Sequence, residues 1–155
     1  NRILRICIES NGNFAWHWLK KIAKLSLESG GGIKFDLKCA RGSNLSIALS
    51  GVSNEVSYKN FEKLLKYHQQ RPEVPFLRAS TLLVPHYIDT EEIKAIAKFI
   101  AELDASIPYA LLAFYPCYNM SDIGFTTRKF AEDCLRIAKS VGLKNVRIGN
   151  VHLLK

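Results

Sequence analysis

The sequence has no CxxC or CxxxCxxC spacing and no GxGxxG, and its four cysteines, Cys7, Cys39, Cys117 and Cys134, stand far apart. The first absence excludes a metal site built on cysteine spacing alone, and the second removes support for a dinucleotide-binding turn. No run approaches about 18 consecutive apolar residues, so no membrane-spanning helix is expected. The N-terminal "NRILRICIES" lacks the basic, then apolar, then small-residue order of a signal peptide. These absences point to a cytoplasmic protein with free thiols. There is no nucleophile elbow; His68 and His152 have no partner in sequence, His86 reads as a surface-loop residue and His17 as part of a packing face or solvent rim. No catalytic residue and no transition-metal ligand is therefore assigned within the chain.

What is present is enough apolar material for one core: 155 residues, 48% of them hydrophobic, read as a single domain over residues 1–155. The net charge is +8. Its basic residues recur at spacings of three and four, as in Lys20, Lys21 and Lys24, then Lys59, Lys63 and Lys66. Such spacing places them on solvated helix faces, and no RNA-binding motif accompanies them, so a nucleic-acid partner is not expected.

The hydrophobic period switches repeatedly between about 2 and about 3.6. Strands are expected at 3–9, 33–38, 76–84, 109–116 and 145–151. Helices are expected at 14–30, closed by glycine, at 57–70, ended by Pro72 and Pro75, at 89–103, capped by Asp89 or Thr90, and at 126–142. The resulting βαβαβαβαβ order implies an α/β fold with parallel strands and right-handed helical crossovers, either an open doubly wound sheet or a partial (β/α) barrel.

Both architectures put chemistry at the C-terminal ends of the strands. Those ends are polar: Glu9, Ser10 and Asn11, then Asp36 and Lys38, then Ser80 and Thr81, then Tyr115, then Asn150. In "GGIKFDLKC" a charge falls on every second residue, Lys34, Asp36 and Lys38. That face would point into a barrel, where a carboxylate needs a cation or a donor. Lys38 could meet the carboxylate of an amino-acid ligand as a point charge. Lys34 is given no role.

The segments "IESNG", "IKFDLKC", "ALSGVSN", "STLLVPHYIDTEEI" and "LLAFYPCYNM", in that order, resemble radical S-adenosylmethionine (SAM) enzymes of the pyruvate formate-lyase activating enzyme type. The resemblance covers nearly the whole chain. It implies an incomplete (β/α)6 barrel holding SAM and a [4Fe-4S] cluster near its C-terminal mouth. The family's CxxxCxxC loop and its glycine-rich SAM segment have no counterpart here, so the chain corresponds to the C-terminal two-thirds of such a barrel.

By resemblance, Asp36, Lys38, Ser80 and Tyr115 bind SAM, while Glu9, Ser10 and Asp36 hold a monovalent cation. The cluster ligands would lie in a missing N-terminal barrel half. The implied activity is reductive cleavage of SAM to a 5′-deoxyadenosyl radical, with ferredoxin or flavodoxin as electron donor and a protein glycine or a small molecule as radical acceptor. The chain departs from the family where His86 replaces a glycine after Val84-Pro85 and where Tyr115 replaces a histidine at a strand end. A competing reading is an α/β domain that binds a nucleotide or an anion at the same strand ends, with Lys38 serving phosphate.

Overall fold

A computed structural model describes residues 4–71 and 73–155. Ile3, at the start of the first expected strand, and Pro72, one of two expected helix stops, lie outside the described residues. Five strands form one sheet: β1 (Cys7–Ser10), β2 (Gly32–Asp36), β3 (Leu77–Leu83), β4 (Tyr109–Ala113) and β5 (Val146–Gly149). Every neighbouring pair is parallel, and the spatial order β1-β2-β3-β4-β5 is the chain order. A doubly wound sheet reverses its order at a switch point. This one never reverses, so it is singly wound in the manner of a barrel, and it remains open between β1 and β5.

The helices are α1 (Trp16–Glu28), α2 (Leu45–Ser50), α3 (Glu55–His68), α4 (Thr90–Asp104) and α5 (Arg128–Ser140). Right-handed crossovers that always advance by one strand place the connecting helices α1, α3, α4 and α5 on one face of the sheet. Alternate strand residues meet them: Ile33 and Phe35 from β2, Leu77, Ala79, Thr81 and Leu83 from β3, and Tyr109, Leu111 and Ala113 from β4 are all 0–1% exposed. Opposite them lie Leu19 and Ala23 of α1, Phe61 and Leu64 of α3, Ile93, Ile96 and Ile100 of α4, and Ala131, Cys134 and Ala138 of α5, in one continuous core. The rings of Phe35 and Phe61 meet edge to face at 5.4 Å, an arrangement that favours their quadrupoles.

Helix ends follow the sequence signals. The Asp89 carboxylate accepts from the Glu92 N–H at 2.8 Å, and the Thr127 hydroxyl accepts from the Phe130 N–H at 3.2 Å, satisfying donors that the first turns leave free. The short helix α2 was not anticipated, because six residues are too few to show a period. It ends at Gly51, whose φ of 71° is the left-handed conformation glycine adopts without strain.

Candidate functional site

The other phase of each strand forms the concave face of the sheet. Register places Glu9, Lys34 and Arg78 side by side on β1, β2 and β3, and then Asp36, Ser80, Ala110 and Arg147 across β2 to β5. Leu82, Leu112 and Gly149 follow toward the C-terminal ends. The face opposite the core is therefore polar along β1 and β2 and apolar at its C-terminal centre. Alternation within each strand follows from the pleat.

Four of the charges pair within this face. Lys34 Nζ lies 2.9 Å from Glu9 Oε2, and Lys38 Nζ lies 2.7 Å from Asp36 Oδ2. Lys34, given no role from sequence, thus neutralises Glu9. Ser10 completes a turn instead of facing a cation, its Oγ accepting from the Gly12 N–H at 3.0 Å. Each carboxylate of the expected cation site has a lysine as its partner in the structure. Pairs this exposed contribute up to about 1 kcal/mol to stability and can re-form with a ligand.

Glu9, Ser10, Asn11, Asp36, Lys38 and Ser80 together line a depression of ≈ 450 Å³ at the C-terminal half of the concave face, with Leu82 and Leu112 as its apolar wall. An adjoining apolar hollow of ≈ 140 Å³ shares Lys38 and Leu82 and adds Leu49, Val84 and Met120. Five of the six residues proposed from sequence are its neighbours, those being Glu9, Ser10, Asp36, Lys38 and Ser80. Tyr115 is not among the groups lining either space. It is 55% exposed beyond the end of β4, with its ring edge-on to Phe125 at 5.6 Å. The wall residues Leu49, Leu82, Leu112 and Met120 were not selected from sequence, since an apolar residue facing a site reads like any core residue.

Ser80 is the most informative of the set. Its side chain is 1% exposed and its Oγ has no hydrogen-bond partner among the described residues. An unsatisfied buried hydroxyl costs about 1–3 kcal/mol. A polar group kept in that state beside an open depression is available to a ligand.

The segment carrying Asp36 and Lys38 is pinned from the helix side. Leu37 N–H donates to the Ser80 carbonyl at 2.8 Å, which continues the β2–β3 pairing past the assigned end of β2. The expected strand had run to Lys38; the regular ladder ends at Asp36, so Lys38 stands at the mouth. The Tyr109 hydroxyl donates to Thr81 Oγ1 at 2.8 Å, which donates to the Leu37 carbonyl at 2.6 Å. Burial foremost pushes the Tyr109 hydroxyl far above its ordinary pKa and keeps it a donor. The Cys39 carbonyl accepts from the Tyr58 hydroxyl at 2.9 Å and from Asn54 Nδ2 at 3.2 Å. Burial foremost, with the nearby Glu92 carboxylate, pushes the Cys39 thiol up, which leaves it protonated and unreactive.

The loop after β1 is held in the same way from α3. Ser57 Oγ donates to the Asn11 carbonyl at 2.6 Å, and Asn60 Nδ2 donates to the carbonyls of Gly12 and Phe14 at 2.9 Å each. Gly12 is required here twice over: its φ is 78°, and a Cβ would lie 2.1 Å from the Phe35 ring.

The lining offers two ammoniums, Lys34 and Lys38, two carboxylates, Glu9 and Asp36, and the unpartnered Ser80 hydroxyl beside apolar walls, a set of both signs that suits a zwitterionic small molecule. It does not suit an iron–sulfur cluster. Among the described residues no three His, Cys, Asp or Glu side chains converge to hold a metal ion, and the cysteines are separate thiols, exposed at Cys7 and Cys117 and buried at Cys39 and Cys134.

The sheet and its concave site define an α/β protein with an open, singly wound parallel sheet and polar strand ends. No family model matches the chain, and no curated protein matches it in sequence. Among the described residues no helix is long and apolar enough to cross a membrane.

Proposed function

We propose that this chain binds S-adenosylmethionine in the depression at the C-terminal half of the concave face, as the SAM-binding part of a radical SAM enzyme of the glycyl-radical-activase type. The observation that carries the reading is Ser80 Oγ, buried and unpartnered beside the Asp36–Lys38 pair in one open depression. The resemblance of "IKFDLKC" and "STLLVPHYIDTEEI" to that family adds to it.

In this reading Lys38 leaves Asp36 to meet the methionine carboxylate, Asp36 accepts from the methionine ammonium, and Ser80 donates to the ligand or accepts from it. Leu49, Leu82 and Met120 exclude water from the nucleoside. SAM would supply the leaving group for reductive cleavage. The cluster that delivers the electron, its ferredoxin- or flavodoxin-like donor, and the protein or small molecule that accepts the radical all lie outside this chain. Tyr115 has no assigned contact in this reading.

Calorimetric titration with SAM tests it. The unmodified chain should bind SAM, Lys38→Met should weaken binding by about tenfold or more through loss of a charge-assisted hydrogen bond, and Ser80→Ala should weaken it several-fold while raising Tm. No heat at millimolar SAM, or equal affinity in all three proteins, would overturn the reading.

A further inference from the structure

Beneath the SAM depression, toward the N-terminal ends of the strands, lies a second and larger hollow of ≈ 530 Å³. Its charged walls are Lys34, Arg78, Lys144 and Arg147, against a single carboxylate, Glu9. Glu9 is already committed to Lys34 at 2.9 Å. Among the described residues, neither Arg78 nor Arg147 lies within 4.0 Å of a carboxylate. The hollow therefore carries a surplus of positive charge that the protein leaves unanswered.

Arg78 gives a second, independent observation. Its Nε is buried without a hydrogen-bond partner. A guanidinium is always charged and carries five donors, and burying one of them unpaired is unfavourable. In the sheet register Arg78 stands directly beside Lys34, whose charge Glu9 already answers, so among the described residues no neighbouring carboxylate is left for Arg78. An anion at the guanidinium removes that penalty.

Room for the guanidinium is built into the backbone. A Cβ on Gly32 would lie 3.2 Å from Arg78 Nη2 and 2.6 Å from the Phe76 carbonyl, so glycine lets the Arg78 side chain lie against β2. Across the face, Ala110 separates Ser80 from Arg147 in register, and its small side chain leaves the hollow open between the two arginines.

We infer that this hollow is an oxyanion site for a small molecule, with Arg78 and Arg147 supplying planar, two-pronged donors. Arginine forks match the spacing of carboxylate and phosphate oxygens. The volume falls within the range of about 300–1,000 Å³ occupied by small ligands. The site differs from one built on Lys38 at the strand ends, and it does not depend on the SAM reading. It shares Glu9 and Lys34 with the upper depression, so the two hollows are contiguous.

Thermal unfolding of the chain, titrated with inorganic phosphate and in a parallel series with succinate, at ionic strength held constant with sodium chloride and without SAM, tests the inference. A saturable rise in Tm is expected with at least one of the two anions; phosphate alone would assign a phosphate group, succinate alone a dicarboxylate. Arg147→Gln, at an exposed position that folding does not need, should raise the half-saturating concentration by about tenfold. Arg78→Gln should do the same, and Lys94→Gln, on the outer surface of α4, should leave it unchanged. The inference fails if neither anion gives a saturable rise, or if Arg147→Gln and Lys94→Gln behave alike, which would mean general screening of a +8 chain.

Discussion

At the scale of single residues, the polar groups sort by whether the fold answers them. His68 is answered at one ring nitrogen. Its Nδ1 accepts from the Leu77 N–H at 3.1 Å, which fixes the neutral form with the proton on Nε2, and the side chain is only 5% exposed. Burial lowers its pKa from the ordinary 6.5, and Asp104, 3.9 Å away, offsets this in part. A base whose folded pKa is depressed contributes stability that is present above its unfolded pKa and is lost as pH falls through the folded value. Stability measured by urea unfolding should therefore drop as pH falls below about 6.5, and the drop should be smaller in His68→Gln. An unchanged pH profile in the variant would show that other groups govern it. Ser80 and Arg78, by contrast, hold buried polar atoms with no partner. Both point into the concave face, where a ligand can supply what the fold does not.

At the scale of elements, the connection between β2 and α3 carries most of the site's rigidity. Asn54 organises it: Nδ2 donates to the Cys39 and Ala40 carbonyls at 3.2 and 2.8 Å, and Oδ1 accepts from the Gly42 N–H at 3.0 Å. Glu92, from the first turn of α4, reaches back to Ser43 Oγ at 2.9 Å. The asparagine thus fixes the backbone just after Lys38, and its removal leaves the Ala40 carbonyl and the Gly42 N–H to find water while the Cys39 carbonyl keeps the Tyr58 hydroxyl. Asn54→Ala should cost about 2 kcal/mol in denaturant unfolding. A loss below about 0.5 kcal/mol would mean that the loop finds water for these groups at no cost. The start of α4 was legible because its cap Asp89 acts within its own turn, whereas α1 and α3, which have no side-chain cap, begin two residues away from the expected 14 and 57. The pinning of β2 by Thr81, Tyr109 and Tyr58 was not legible, since those partners come from positions 19 to 72 residues away.

At the scale of the molecule, a sheet that advances by one strand at every crossover has one apolar face under helices and one concave face left to solvent. The two edges differ from the centre. β1 and β5 each pair on one side, and both are partly exposed, whereas β3 pairs on both sides and is almost wholly buried. Amide exchange should reflect this, with β2 and β3 outlasting β1 and β5 by at least about tenfold. Equal protection at the edges would mean that they are covered in solution, by another copy of the chain or by further polypeptide.

The sequence alone determined the alternating α/β order, the capped start of α4 and the polar character of the strand ends, because periodicity and capping are properties of neighbouring residues. It also singled out Asp36, Lys38, Glu9, Ser10 and Ser80. Only the tertiary structure decided between a doubly and a singly wound sheet, since strand order is set by how helices pack across the sheet and leaves no local mark. It alone joined Lys34 to Glu9, set Tyr115 apart from the depression, and brought Arg78 and Arg147 together from two strands that are not neighbours. Side chains on one face of a sheet become neighbours through register, and register is fixed by the burial of the opposite face.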